Sequence, residues 1–415
     1  MSLAASLRDI ASKPAESRFA QYEVLATKAV HSNDADAILK LAQHLVNVEG
    51  AEQYGRTYIV PDLLNHLILL LSDPEGALED PMDVDDLLPL MKSLVDLIRP
   101  KAEDVPDALM NALELLAQCH QANKDYKAAA YTLSSFKFDD FKSKCSASAE
   151  HRAKWFVRTA EFFLQEGESG LASQQIKRAH TLISEVGKLA TPSAVELVLR
   201  FKTCYARILD SERRFIEAAL RYMELSQSTA ASVSDAGRMQ SLEYAVSCAI
   251  LAKAGPQRSR VLAMLYSDER SKQLPNFAML EKVFRERIIS AAEVQAFEQL
   301  LQEHQKADTG SGRTVLQNAT IEHNMLAASR LYQNIRFDQL GVLLGIAAAE
   351  AEQLAGSMIE QGRMKATIDQ VEALLEFQSG GDELGVWDEG IGAVCLAINR
   401  VLDEINRVHP GKYEV

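Results

Sequence analysis

Glycine and proline are scarce in this chain, 20 and 11 among 415 residues. With few helix breakers and an abundance of Ala, Leu, Glu, Gln, Lys and Arg, a mainly α fold is expected. Cysteine is scarce too. The five (Cys119, Cys145, Cys204, Cys248 and Cys395) are scattered and form no CxxC pair. An odd, dispersed set argues against a disulfide framework and for a reducing compartment. There is no long apolar run. The longest, around Leu63 to Leu71, is interrupted by Asn65 and His66 and is too short to span a membrane. The opening MSLAASLRDIASK lacks the apolar core of a secretory signal. The expected location is therefore cytoplasm and nucleus, with no membrane partner. Positive charge is also short: 44 Lys and Arg against 58 Asp and Glu, a formal net charge of -14 and a pI near 5.2. That balance disfavours nucleic acid as the main partner.

Catalytic signatures are missing as well. The nine histidines form no HxxxH pair with an intervening Glu and no HxH followed by a metal-binding Asp, so the zinc protease patterns are absent. Gly50 to Thr57, GAEQYGRT, imitates a phosphate loop with Arg56 in place of the lysine. It follows a helical pattern ending LVNVE rather than a strand, and the motif counts only between strand and helix. No serine or cysteine sits in a nucleophile elbow. Cys204 and Cys248 lie on apolar helical faces and read as small core residues. His323, within Glu322-His323-Asn324, reads as a hydrogen-bonded packing histidine rather than a ligand or base. Asn318-Ala319-Thr320 fits the glycosylation pattern, which the expected compartment makes irrelevant. The expectation is no enzyme: no catalytic residue, no cofactor and no metal.

What is present is helical, with one exception. Residues 3–49 read as three helices, broken near Pro14 and at Ser32-Asn33-Asp34, where Asn33 or Asp34 caps the third. A further helix covers Pro61 to Leu71, with Pro61 in its first turn. Ser72 to Asp86 carries seven acids, two prolines and no base, which suits a solvated loop or a docking strip for a basic partner. From about Val105 helical hairpins repeat. Their second helices open at Tyr126, Leu171 and Phe215, spaced 45 and 44 apart. Ala129-Ala130 and Ala218-Ala219 follow two of these openers at the same distance, and small residues there let paired helices approach closely. Two more pairs follow, near 235–266 and 276–304. Stacked pairs of this kind form a tetratricopeptide-like solenoid, though the repeat is longer than 34 residues.

The exception is Asn318 to Phe377, which reads as a winged helix. Ile321, Met325, Ala328, Leu331 and Tyr332 share a helical face. Ile335-Arg336-Phe337 suits a short strand. Asp338 is a candidate N-cap for a helix through Leu344, ended by Gly345. A third helix covers about 347–361 and ends at Gly362, and Ile368 and Val371 to Phe377 supply a hairpin. In a DNA reader that third helix is basic. Here it carries Glu350, Glu352 and Glu360, with Arg363 and Lys365 only beyond it, so it would repel phosphate. A winged helix used for protein contact remains. Its sheet edges invite strand addition, with Ile335, Phe337, Ile368, Leu375 and Phe377 as candidate interface residues. After the polar stretch QSGGDE comes a last helix. Leu384, Trp387, Ile391, Val394, Ile398, Val401, Ile405 and Val408 recur at 3, 4, 3, 4, 3, 4, 3. That is a heptad seam, which either awaits partner helices or folds back on its own domain across the Gly-Gly stretch.

Five stretches carry a family resemblance. They are FKTCYARILDSERRFIEAALRYMELS, LAKAGPQRSRVLAMLYSDER, EHQKA, IEHNMLAASRLYQNIRFDQLGVLLGI and MIEQGRMKATIDQVEALLEF. The chain resembles the PCI proteins of the proteasome lid, the COP9 signalosome and a translation initiation factor complex. The signalosome branch is the densest match, from about Val198 to Phe377, and a proteasome lid or other PCI scaffold is the alternative. The resemblance implies a helical-repeat arm over 1–190 and a PCI domain over 191–378, with helical pairs at 191–313 and the winged helix at 314–378. A hinge and assembly helix over 379–415 complete it. It also implies a non-catalytic scaffold within a complex that removes a ubiquitin-like modifier from cullin-RING ubiquitin ligases. The implied partners are the other signalosome subunits, including the catalytic isopeptidase pair, with the cullin-RING ligase as substrate.

Overall fold

The computed structural model describes residues 7, 10, 15–47, 60–72, 83–141, 145–189, 191–228, 234–306, 312–377 and 383–408. The phosphate-loop look-alike, residues 73–82 of the acidic segment and the polar stretch at 378–382 lie outside them. The chain divides into two compact units, 1–208 and 209–415. The expected arm boundary at 190/191 precedes helix α9 (Pro192–Ser211), and the division falls inside that helix.

The first unit is built from α1 (Ala15–His31), α2 (Ala35–Asn47), α3 (Val60–Ser72), α4 (Val84–Ile98), α5 (Pro106–Ala122), α6 (Tyr126–Ser134), α7 (Ala149–Gln165), α8 (Ser169–Val186) and most of α9. Between α1 and α2, Asn33 takes the left-handed conformation and Asp34 Oδ1 accepts the Ala37 N–H at 3.1 Å. Asp34 is thus the cap and Asn33 the turn. α1 packs on α2 and α3, α2 on α4, α3 on α5, and α7 lies against both α6 and α8. Ile38, Leu41, Leu64, Leu67, Met91 and Leu113 are among the fully buried side chains of one continuous core. Polar rungs tie the first helices of successive hairpins. Arg158 of α7 donates to Glu114 of α5 at 3.2 Å, and Arg200 of α9 donates to Glu161 of α7 at 2.9 Å.

The three hairpin turns share one geometry. Lys124, Gly167 and Arg213 all have positive φ, at 60°, 80° and 62°. The following N–H reaches back five residues to a carbonyl: Asp125 to His120, Glu168 to Phe163 and Arg214 to Leu209, each at 2.9 Å. This is a Schellman closure, which satisfies carbonyls left open at a helix end. It also fixes the repeat register. The second helices open at Tyr126, Ser169 and Phe215, so Leu171 is the third residue of α8 rather than its opener. The alanine pairs at 129–130 and 218–219 are fully buried.

The second unit continues with α10 (Phe215–Ser226), α11 (Asp235–Leu251), α12 (Pro256–Ser267), α13 (Phe277–Phe284) and α14 (Ala291–Glu298). It then enters a winged helix: α15 (Val315–Leu331), β1 (Asn334–Arg336), α16 (Phe337–Leu344), α17 (Ala348–Glu360), β2 (Ala366–Asp369) and β3 (Leu374–Phe377). Thr314 and Gln317 form a capping box at the start of α15. The sheet is antiparallel in the order β1-β3-β2. Gly345, at φ 70°, closes α16, and Gly362, at φ 67°, closes α17, both as read from the sequence.

Four details of that reading change. Phe337 is the first residue of α16 rather than the end of the strand, because its N–H donates to Ala373 O at 3.0 Å while its backbone turns helical. Asp338 therefore lies inside the first turn, and Arg336 occupies the cap position with no side-chain hydrogen bond. Leu331 and Tyr332 leave the buried face, since the helix ends there and Tyr332 is already extended. Val371 sits exposed in the hairpin turn, and β3 starts at Leu374. Last comes α18 (Glu383–Val408).

Candidate assembly surfaces

Two surfaces follow from the sequence as places where another chain could attach: the sheet of the winged helix and the seam of α18. The sheet's side chains are already used. Ile335, Phe337, Leu375 and Phe377 are buried in the winged helix's own core with Met325, Leu340, Ala355 and Met358, and Ile368 packs against that core half-buried. None of the five can serve as a large exposed contact. Leu375 and Phe377 moreover lie on the central strand.

What the sheet offers instead is backbone. β1 and β2 are its edges. Phe377 N–H donates to Gln333 O at 2.8 Å, as Phe337 N–H does to Ala373 O. Along a strand the N–H and C=O of successive residues point alternately to either side. Odd-numbered residues of β3 therefore face β1, and Leu374 and Glu376 face β2, where they oppose Asp369 and Thr367. Ala366 and Ile368 are left with N–H and C=O directed away from the sheet. Ile368 thus presents its backbone outward and its side chain inward, the geometry strand addition requires.

The seam of α18 is the opposite case. Trp387, Ile391, Val394, Ile398 and Val401 are all exposed, Trp387 at 72% and Val394 at 59%. Cys395 is exposed beside them. The side chains of Leu384, Ile405 and Val408 lie outside the described set. On a helical wheel Cys395 widens the stripe on one flank, so the apolar arc is broader than a two-stranded seam. Exposed apolar residues clustered on one face of one helix mark an interaction site.

The third helix, α17, turns part of its surface to its own chain. Glu350, Leu354 and Ser357 line a groove of about 800 Å³ with Phe215, Lys253 and Val315. Glu350 is engaged by Arg313, whose second nitrogen lies 2.9 Å from it. An acidic helix occupied in this way is poorly suited to a DNA groove.

A joint missed in the sequence holds the winged helix to the helical pairs. Three consecutive side chains of α15 each grip the backbone of another segment. Glu322 Oε2 accepts the Ala254 N–H at 3.1 Å. His323 Nε2 donates to Arg287 O at 2.9 Å. Asn324 accepts from Ile289 N–H at 2.8 Å and donates to Ile289 O at 3.0 Å. Burial, with the nearby Arg258 charge, pushes the His323 pKa down to about 4, so the ring is neutral at pH 7. This fits the packing role read from the sequence. Arg363, read there as a stray base beyond α17, pairs with Glu322 at 2.6 Å and donates to Ala254 O at 3.3 Å. The signal available was three polar residues in a row on a helix flanked by apolar ones. Cys204 and Cys248 are buried, as read, and burial raises both thiol pKa values, that of Cys204 to about 12. Among the described residues no group of His, Cys, Asp and Glu is placed to hold a metal ion, and no single helix is long and apolar enough to cross a membrane.

The PCI domain family model matches residues 294–379. The chain is 43% identical to COP9 signalosome complex subunit 4 of Dictyostelium discoideum over 292 residues, 70% of this chain and 72% of that protein. It is 35% identical to the protein of that name in Drosophila melanogaster over 387 residues, 92% of each chain. It is also 35% identical to its counterpart in Arabidopsis thaliana over 390 residues, again 92% of each.

Proposed function

Since this chain belongs to the COP9 signalosome subunit 4 family of PCI proteins, we propose that it is a non-catalytic scaffold of a signalosome, working in the cytoplasm and nucleus. In that role the chain performs no chemistry. Its winged helix offers the β2 edge to a neighbouring subunit, its α18 seam enters a bundle with helices of other subunits, and its N-terminal helices contact the cullin-RING ligase whose ubiquitin-like modifier the complex removes. The isopeptidase centre is supplied by a partner subunit.

The observation that carries this reading is the α18 stripe, five consecutive seam positions exposed to solvent. Exposed apolar surface of that extent along one helix marks a face that partners cover. Removing residues 384–415 should leave a folded chain that no longer enters the complex when co-expressed with the other signalosome subunits. Normal incorporation of the truncated chain would overturn the bundle. For the edge, Ile368→Pro removes an outward N–H and leaves the β2–β3 ladder bonded through Thr367 and Asp369. Incorporation should weaken with helical content unchanged, and an unaffected complex removes β2 from the interface.

A further inference from the structure

Arg363 is a poor residue to bury without a purpose. Its side chain is 13% exposed, and its Nε is buried with no partner among the described residues. Leaving a charged donor orphaned costs free energy that another side chain would not incur. Its Nη1 nevertheless makes two bonds, to Glu322 and to Ala254 O. Glu322, itself 14% exposed, takes the Ala254 N–H as well. The pair therefore closes over both backbone groups of one buried residue, in the turn between α11 and α12. The two side chains come from different parts of the winged helix: Glu322 from the middle of α15, Arg363 from the turn that leads to β2. That turn is itself fixed, since Gly362 is left-handed and the Arg363 N–H donates to Met358 O at 2.9 Å. Arg258 braces the same place, with its guanidinium on the carbonyls of Ala249 and Ile250 at 3.1 and 2.9 Å, near the end of α11.

We propose that Glu322 and Arg363, closed over Ala254, form the latch that sets the angle of the winged helix, and with it the direction of the free β2 edge, against the helical pairs. The α15 contacts of His323 and Asn324 hold one side of the winged helix. Among the described residues, the latch adds the only bonds that run from the β2 approach itself to the helical pairs. Apolar packing alone would leave a pivot along α15, whereas a bond from the turn after α17 opposes that freedom. The link to assembly rests on the scaffold reading above. The latch itself does not.

Hydrogen exchange on the full-length chain tests it. Arg363→Met keeps an unbranched apolar stem and removes the guanidinium with its bonds. Exchange across residues 252–255 should accelerate on the order of tenfold, with the amides of β2 and β3 unchanged, as for a local opening rather than unfolding. Arg363→Lys should fall between the two. Glu322→Gln keeps an acceptor for Ala254 and loses the charge, so it should loosen the joint less than Arg363→Met. The double variant should be no looser than Arg363→Met alone. Unchanged exchange at 252–255 in Arg363→Met overturns the latch. Accelerated exchange there, with normal incorporation into the complex, keeps the latch and sinks the edge contact that it is said to aim.

Discussion

The sheet of the winged helix and the helix that follows it carry apolar sets of similar size and dispose of them in opposite ways. The sheet closes Ile335, Leu375 and Phe377 over its own three helices, with Phe337 at the start of α16 beside them, and leaves backbone at its rim. α18 turns Trp387, Ile391, Val394 and Ile398 to solvent. A surface of the first kind recognises by hydrogen-bond pattern and tolerates changes in the partner's side chains. A surface of the second kind needs matching knobs and holes. In the proposed scaffold one chain would thus hold two modes of attachment, one insensitive to sequence and one demanding of it.

A charge placed in each set separates the two surfaces most strongly. Leu375→Asp places a carboxylate at a fully buried central-strand position and should cost about 4 kcal/mol, enough to melt the winged helix, as seen by loss of exchange protection over 334–377. Val394→Asp should leave the stability of the isolated chain within about 0.5 kcal/mol and abolish entry into the complex. If Val394→Asp unfolds the free chain, the seam is satisfied internally and the contrast fails.

The next effect is pH dependent. His323 has its pKa lowered to about 4 from 6.5, chiefly by burial. The unfolded chain therefore binds more protons between these values. The stabilisation is fully present above pH 6.5 and is lost as pH falls towards 4, by about 3 kcal/mol from this residue. His323→Gln keeps a donor for Arg287 O and should flatten the acid limb of a stability-against-pH curve, while at pH 7.5 it changes little beyond its packing cost. An acid limb unchanged by the substitution would show that another group controls it.

Smaller still is the effect of a close approach inside the winged helix. A Cβ on Gly341 would meet Ile346 O at 2.8 Å, across the turn that Gly345 closes. Gly341→Ala should cost about 2 kcal/mol through displaced backbone, read as a lower urea midpoint for the winged helix. α18, whose Gly390 and Gly392 have no atom near the site of a Cβ, should tolerate alanine at both. Alanine at those two positions should gain helix stability by roughly 1 kcal/mol each.

These positions show what the sequence could and could not disclose. Helix periodicity, the winged-helix order, Gly345, Gly362 and the buried alanine pairs were legible, because each is a local rule acting within one or two turns. The heptad seam was legible as a pattern. The partner that buries an apolar face lies outside the pattern, so the sheet residues and the seam residues looked equally suited to an interface. The joint was hidden for another reason. Glu322, Asn324 and Arg363 bond backbone 35 to 109 residues away, and polar groups with such distant partners look like surface residues. The cap at Asp338 failed because a strand runs straight into α16, bonded at Phe337, and leaves no free turn for a side chain to close.

The smallest effect concerns the hairpin turns, where one geometry is held by different residues. Gly167 adopts its positive φ freely, while Lys124 carries the same turn at the cost of a Cβ close to the following carbonyl. Relief of that strain, about 1 to 2 kcal/mol, is offset by the extra freedom of glycine in the unfolded chain, about 0.5 to 1 kcal/mol. Lys124→Gly should then stabilise the first unit by about 0.5 kcal/mol, and Gly167→Lys should destabilise it by a similar amount. Exchange protection of α5 to α8 in the full chain measures both. Equal losses in the two variants would mean that the lysine at 124 makes a contact outweighing its strain, and the three turns would no longer be one device with interchangeable parts.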